Sequence, residues 1–148
     1  MKRVHRFFRR PATDRSLLVK AAFMVGAVRL RLWGLPFRTL RRLLARVTQE
    51  PAGLHKADRS SLARIAWAVT VVSRYVPAAS CLTQALATQV LLSRRRHPAC
   101  LRIGVVKGMD GQFQAHAWVE SDGVVVIGGS EPELERYTPL PAFEGEVL

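Results

Sequence analysis

The sequence predicts an α+β fold in which helices come first and an antiparallel sheet follows. Three observations carry this. Apolar residues recur at helical spacing until about residue 95, the period switches to alternation from Leu101 onward, and Asp122-Gly123 places a tight hairpin turn inside the alternating region. With 148 residues and 49% apolar content, the chain has ample core for one compact domain. Its composition is near the globular average, with no internal repeat and with Pro and Gly scattered rather than clustered.

In chain order, a basic arm leads to Pro11-Ala-Thr-Asp14, which has the look of a helix start. Leu17, Leu18, Ala21, Val25, Val28 and Leu32 then form one apolar stripe, closed near Gly34. Pro36 opens a second helix with Phe37, Leu40, Leu44 and Val47 on one face. After the loop at Pro51-Ala-Gly53, Ser60-Ser61 is expected to cap a third helix carrying Leu62, Ile65, Ala66, Val69, Val72 and Val76, stopped by Pro77. Ser80 caps a fourth, from Cys81 to about Arg95, which His97-Pro98 ends.

The alternating region begins with Leu101, Ile103 and Val105 on one face of a strand that runs out at Gly108. Asp110-Gly111 makes a turn. In the next strand Phe113, Ala115, Ala117 and Val119 share one face, and Gln114, His116, Trp118 and Glu120 the other. Val124 to Ile127 returns across the Asp122-Gly123 turn, and Tyr137 to Leu140 is expected as a short edge piece.

The formal net charge of +12 is unevenly placed. Before Gln49 the only acid is Asp14, against a long series of Lys and Arg from Lys2 to Arg46, whereas the tail from Glu120 onward is acidic apart from Arg136. This polarity fits a docking surface on the N-terminal half for an acidic peptide, a partner protein or lipid headgroups, and fits equally the solvated faces of amphipathic helices. Two cysteines are too few for a disulfide framework and no cleavable signal peptide is visible, which points to a reducing, cytoplasmic setting. The apolar stretch Ala21 to Val28, flanked by Lys20 and Arg29, is far short of a spanning helix and allows only peripheral membrane contact.

Chemistry concentrates at two residues. A cysteine in the first turn of a helix has its thiolate stabilised by free N–H groups and by the helix dipole, and Cys81 is so placed. An imidazole on a neighbouring strand can take the thiol proton and later protonate a leaving amine, which suits His116. Taken singly, each has a plain structural alternative as a buried small cysteine or a satisfied strand histidine. The order of a helix-borne Cys, a strand, then a strand-borne His before a hairpin favours the pair. Cys100 precedes a strand without a helix N-terminus, and His5, His55 and His97 lie in arms or loops. A zinc site would need more ligands at closer spacing. No glycine-rich segment leads into a helix to hold phosphate. Trp67 and Trp118 read as core or site-wall residues.

The blocks Ser80-Cys-Leu-Thr-Gln-Ala-Leu-Ala, Leu101-Arg-Ile-Gly-Val-Val, Phe113-Gln-Ala-His-Ala-Trp-Val-Glu120 and Glu135-Arg-Tyr-Thr-Pro-Leu140 resemble the lasso peptide biosynthesis B protein family. Its members are transglutaminase-like cysteine proteases that remove the leader from a lasso precursor. The resemblance runs from about Pro11 to Pro141. Its specific part is the Cys-Leu and Ala-His-Ala-Trp-Val-Glu blocks, while the N-terminal helices match in general character. It implies a papain/transglutaminase-like core over residues 57–148 behind a basic helical region over 1–56, together one compact domain. It also implies Cys81 as nucleophile, His116 as base and then acid, a thioester intermediate, and neither metal nor cofactor. The implied partners are the lasso precursor peptide, a separate leader-binding recognition element and a lasso cyclase, with no nucleic acid. The chain begins directly with the helical region, as expected of the split form, and its basic half is a candidate docking place for the partner or leader.

The family triad usually ends in an Asp on the strand after the His. With a two-residue turn at Asp122-Gly123, His116 falls opposite Gly129, so Gly128-Gly129 occupies that place. Glu120, on the His116 face, and Asp122, at the hairpin tip, are the candidates for the third member, with a backbone carbonyl or water as the alternative, since orienting an imidazole does not strictly need a carboxylate. Two competing readings stand beside the hydrolase. Transglutaminase-type acyl transfer uses the same thioester, and a non-enzymatic basic protein would bind nucleic acid or a membrane surface while Cys81 merely packs.

Overall fold

The computed structural model describes residues 11–34, 39 and 58–140. The basic arm with His5, the helix expected from Pro36, the loop with His55 and the tail acids Glu144 and Glu146 lie outside the described residues.

Helix α1 (Ala12–Gly34) starts where the Pro11 carbonyl accepts the N–H groups of Asp14 and Arg15, and it buries Leu17, Leu18, Ala21, Met24 and Val25. Helix α2 (Arg59–Ser73) is capped by Asp58 rather than by the expected serine pair. The Asp58 carboxylate accepts both the backbone N–H and the hydroxyl of Ser60, two donors that a serine cap would not gather. The helix also stops earlier than expected, with Arg74 as its C-cap three residues before Pro77. Its inward face is Leu62, Ile65, Ala68, Val69 and Val72.

Helix α3 (Cys81–Ser93) begins as predicted, with the Ser80 side chain accepting from the Thr83 N–H at 3.3 Å. It has no wet face over most of its length. Thr83, Ala85 to Gln89, Leu91 and Leu92 are all buried, because α1 and α2 cover one side of it and the sheet covers the other. The core thus runs through α3, from Leu17 and Val25 of α1 to Leu101, Ala117, Val119 and Ile127 of the sheet.

The sheet has the order β3-β2-β1-β4 and is antiparallel throughout, from strands β1 (Cys100–Lys107), β2 (Phe113–Ser121), β3 (Val124–Ile127) and β4 (Thr138–Pro139). The predicted hairpin is present: Asp122 and Gly123 both adopt positive φ, 49° and 75°, between the paired Ser121 and Val124. A short helix α4 (Glu131–Leu134) precedes β4 and was not anticipated. Ser130 and Glu133 close a capping box around it, a signature present in the sequence as Ser-Glu-Pro-Glu.

Candidate active site

Two elements in direct contact carry Cys81 and His116. Gln89 of α3 donates from Nε2 to the Ala99 carbonyl at 3.3 Å, which ties the second half of the helix to the start of β1. Cys100 there pairs with Glu120 near the end of β2. The helix and the strand are in contact, and His116 stands before Trp118 and Glu120 on β2. Cys81 lies two turns before Gln89, about 12 Å along the axis. The thiol is half-buried at the first turn, beside the N-cap Ser80, whose hydroxyl is 3.2 Å from that of Thr83.

On β2, Ala117 and Val119 enter the core, so the alternate residues His116 and Trp118 take the other side of the strand. The half-buried His116 ring is held on three sides. Its Nε2 meets the carbonyl of Gly128, and the Tyr137 ring lies against it at a centroid distance of 5.2 Å and an interplanar angle of 30°. Trp118 flanks it at 6.4 Å and 19°. A carbonyl oxygen can only accept, so Nε2 is the protonated nitrogen and the neutral ring keeps its lone pair on Nδ1. No hydrogen bond joins Cys81 to His116.

The register that produces this contact differs from expectation. A bulge between Val119 and Glu120 shifts the ladder so that Val119 pairs with Ile127, and β3 then leaves β2. His116 is therefore not paired with Gly129, and among the described residues β2 is bonded on its β1 side alone from Phe113 to Trp118. Gly128 passes close enough to Trp118 that a Cβ there would stand 2.5 Å from the Trp118 Cβ, at a φ of 112° that L side chains rarely adopt. The glycine brings the carbonyl to the ring.

Neither carboxylate candidate is the hydrogen-bond partner of His116. Glu120 accepts from Trp118 Nε1 at 2.8 Å and from Arg102 Nε at 3.3 Å, which commits both its oxygens to the neighbouring side chains of that face. Asp122 occupies the hairpin turn. Glu133, in the capping box of α4, has its own local partners. Its carboxyl is held below the usual range chiefly by the Ser130 backbone N–H and hydroxyl, with smaller contributions from the positive charge of Arg136 and from His116 when its ring is protonated.

Gly104 shapes the aromatic wall. It pairs with His116 across the β1–β2 ladder, and a Cβ on it would meet Tyr137 Cβ at 2.9 Å and the Trp118 ring at 3.0 Å. Trp67, by contrast, lines a separate cavity with Asp14, Ala63 and Arg64. His97 Nε2 lies 3.3 Å from Ser61 Oγ, which ties the loop after α3 to the start of α2. Cys100 opens β1. Among the described residues no three His, Cys, Asp or Glu side chains are gathered in a way that could hold a metal ion.

In a comparison with known families, a model described as the transglutaminase-like superfamily matches residues 23–142. The chain belongs to the transglutaminase-like superfamily. Comparison with curated proteins and with solved structures gives no match. Within this superfamily member, sequence reasoning did not assign Gly104 or Glu133 to the site, nor Tyr137 to the wall around His116. Cross-strand pairing makes Gly104 important and a capping box places Glu133; only the second had a local sequence signal.

Proposed function

We propose that the chain is a cysteine peptidase that removes the leader from a lasso peptide precursor, with Cys81 as nucleophile and His116 as general base and acid. The observation that carries this reading is the contact of His116 Nε2 with the Gly128 carbonyl, which by its chemistry directs the proton to Nε2 and leaves Nδ1 to accept one, on a strand packed against the helix that begins at Cys81. Both residues are half-buried, and the elements that carry them are in contact.

In the reaction His116 Nδ1 takes the thiol proton as Cys81 Sγ attacks the carbonyl at the leader–core junction. The C–N bond breaks, the leaving amine takes that proton, and the leader stays as a thioester on Cys81. Water then attacks, giving its proton to Nδ1, and the C–S bond breaks to release the leader acid and the thiol. The Gly128 carbonyl supports the imidazolium as the orienting carboxylate of a triad does, with a dipole in place of a charge. The substrate is presented by a separate leader-binding recognition element, and the released core passes to a lasso cyclase. The reaction needs neither metal nor cofactor.

Mass spectrometry of the precursor encoded beside this chain, incubated with the protein and the leader-binding partner, tests the reading. A single cut at the leader–core junction, lost in both Cys81→Ala and His116→Ala, is expected. Cleavage that persists in Cys81→Ala, or a folded wild type that does not cut with its partner present, overturns it. Iodoacetamide labelling of Cys81 reports on the pair without any substrate: the rate at neutral pH falls in His116→Ala if Nδ1 takes the thiol proton, and is unchanged if it does not.

A further inference from the structure

Helix α1 is apolar on two opposite sides, and the fold covers one. Leu17, Ala21, Met24 and Val25 turn into the core. On the far side, Val19, Phe23, Leu30 and Trp33 line up as a second stripe and are 59%, 72%, 68% and 81% exposed. A helix apolar all round belongs inside a protein or a bilayer, and this one lies at the surface.

The borders of the stripe are basic. At 100° per residue Lys20 and Arg31 fall along one edge, and Arg15 and Arg29 along the other. The single acid on α1, Asp14, is engaged by Arg64 at 2.6 Å. The sequence on either side repeats the bias, with Arg6, Arg9 and Arg10 before the helix and no acid between Asp14 and Glu50. A second copy of the chain would set these like-charged borders against each other. Among the described residues no helix, α1 included, is long and apolar enough to cross a bilayer.

We propose that this face of α1 docks in the plane of an anionic phospholipid surface. The stripe extends for about 20 Å, carries an aromatic ring in each half, and stands out as a convex ridge. An apolar ridge with basic borders sinks roughly 5–10 Å into the boundary between headgroups and acyl chains while its cations stay among the phosphates. The acidic tail leaves the opposite charge on other parts of the chain, so the attraction is directional.

The test is sedimentation of the full-length protein with vesicles of phosphatidylcholine alone and of phosphatidylcholine mixed with phosphatidylglycerol. The wild type is expected to sediment with the mixed vesicles and to stay in solution with the neutral ones. Brominated acyl chains are expected to quench part of its tryptophan emission. The triple change Phe23→Ser, Leu30→Ser, Trp33→Ser, which leaves every charge in place, should weaken binding by at least ~10-fold, since it removes three large apolar side chains from the contact. Lys20→Glu with Arg31→Glu should weaken it as well. Circular dichroism checks the fold of each variant. If the triple variant does not fold, Trp33→Phe serves instead: binding is retained and the bromine quenching falls. A wild type that ignores the mixed vesicles overturns the proposal, as does a folded triple variant that binds like wild type, or quenching that is unchanged in Trp33→Phe.

Discussion

The two ends of the α3–β2 pair are built for different purposes. At one end Gln89 and Leu92 of α3 are completely buried, Val119 and Ser121 of β2 are too, and β2 is bonded on both sides. At the other end Cys81 and His116 are half-buried, β3 has left, and the His116 ring is held by one carbonyl and two aromatic neighbours. On the proposed function, the same two elements are structural at one end and chemical at the other. Substitutions at the closed end should therefore cost stability, and substitutions at the open end should cost activity.

The largest effects separate the two ends most sharply. Cys81→Ala and His116→Ala should each lower leader cleavage by ~10³-fold or more while leaving the thermal midpoint close to that of wild type. Leu92→Ala should do the opposite, costing about 2–5 kcal/mol in denaturant unfolding while the folded fraction keeps its activity per molecule. If Leu92→Ala inactivates the folded protein, the ends are coupled and the division fails.

Gly104→Ala falls between them. Its Cβ has to push Tyr137 or the Trp118 ring away from His116, and overpacking of this kind costs roughly 1–3 kcal/mol. Loss of activity should accompany the loss of stability here, seen as a lower kcat at saturating precursor in protein that is still folded. An enzyme with normal kcat would show that the aromatic wall does not position the ring.

The smallest effect lies outside both ends, at the cap of α2. Hydrogen bonds from the Ser60 hydroxyl and backbone hold the Asp58 carboxyl below its ordinary range. A folded-state value below the unfolded one stabilises the protein above the unfolded value, and the contribution disappears as the pH falls from about 4 downward. Asp58→Ala should lower the thermal midpoint slightly at neutral pH, and the difference from wild type should shrink in acid. Asp58→Asn should restore most of the cap, because its side-chain oxygen accepts equally well.

Sequence and structure agree where the deciding interaction is local. Ser80 three residues before Thr83, and Asp122-Gly123 between two alternating runs, announce a helix start and a hairpin in a few adjacent residues. The start of α2 was displaced because Asp58, Ser60 and Ser61 are all acceptable caps by type, and the choice depends on which one gathers donors. The capping box at Ser130 and Glu133 is legible in the sequence, but a helix of one turn has no apolar periodicity to accompany it. The bulge beside Val119 has no compositional mark, and it decides which carbonyl reaches His116. Gly104 is silent in the sequence for a related reason. Its meaning lies across the ladder, where two rings from different parts of the chain need the space.

The two supports of His116 also differ in how far the chain must travel to make them. The Gly128 contact belongs to a hairpin closed by a two-residue turn, a type of unit that forms within about 1–10 μs. Tyr137 reaches the ring only after the chain has passed through α4 and returned to pair Thr138 and Pro139 with β1, a contact of much greater sequence separation. Non-local contacts of that kind wait on loop closure and come later. By that ordering the contact that directs the imidazole proton precedes the Tyr137 side of the aromatic wall.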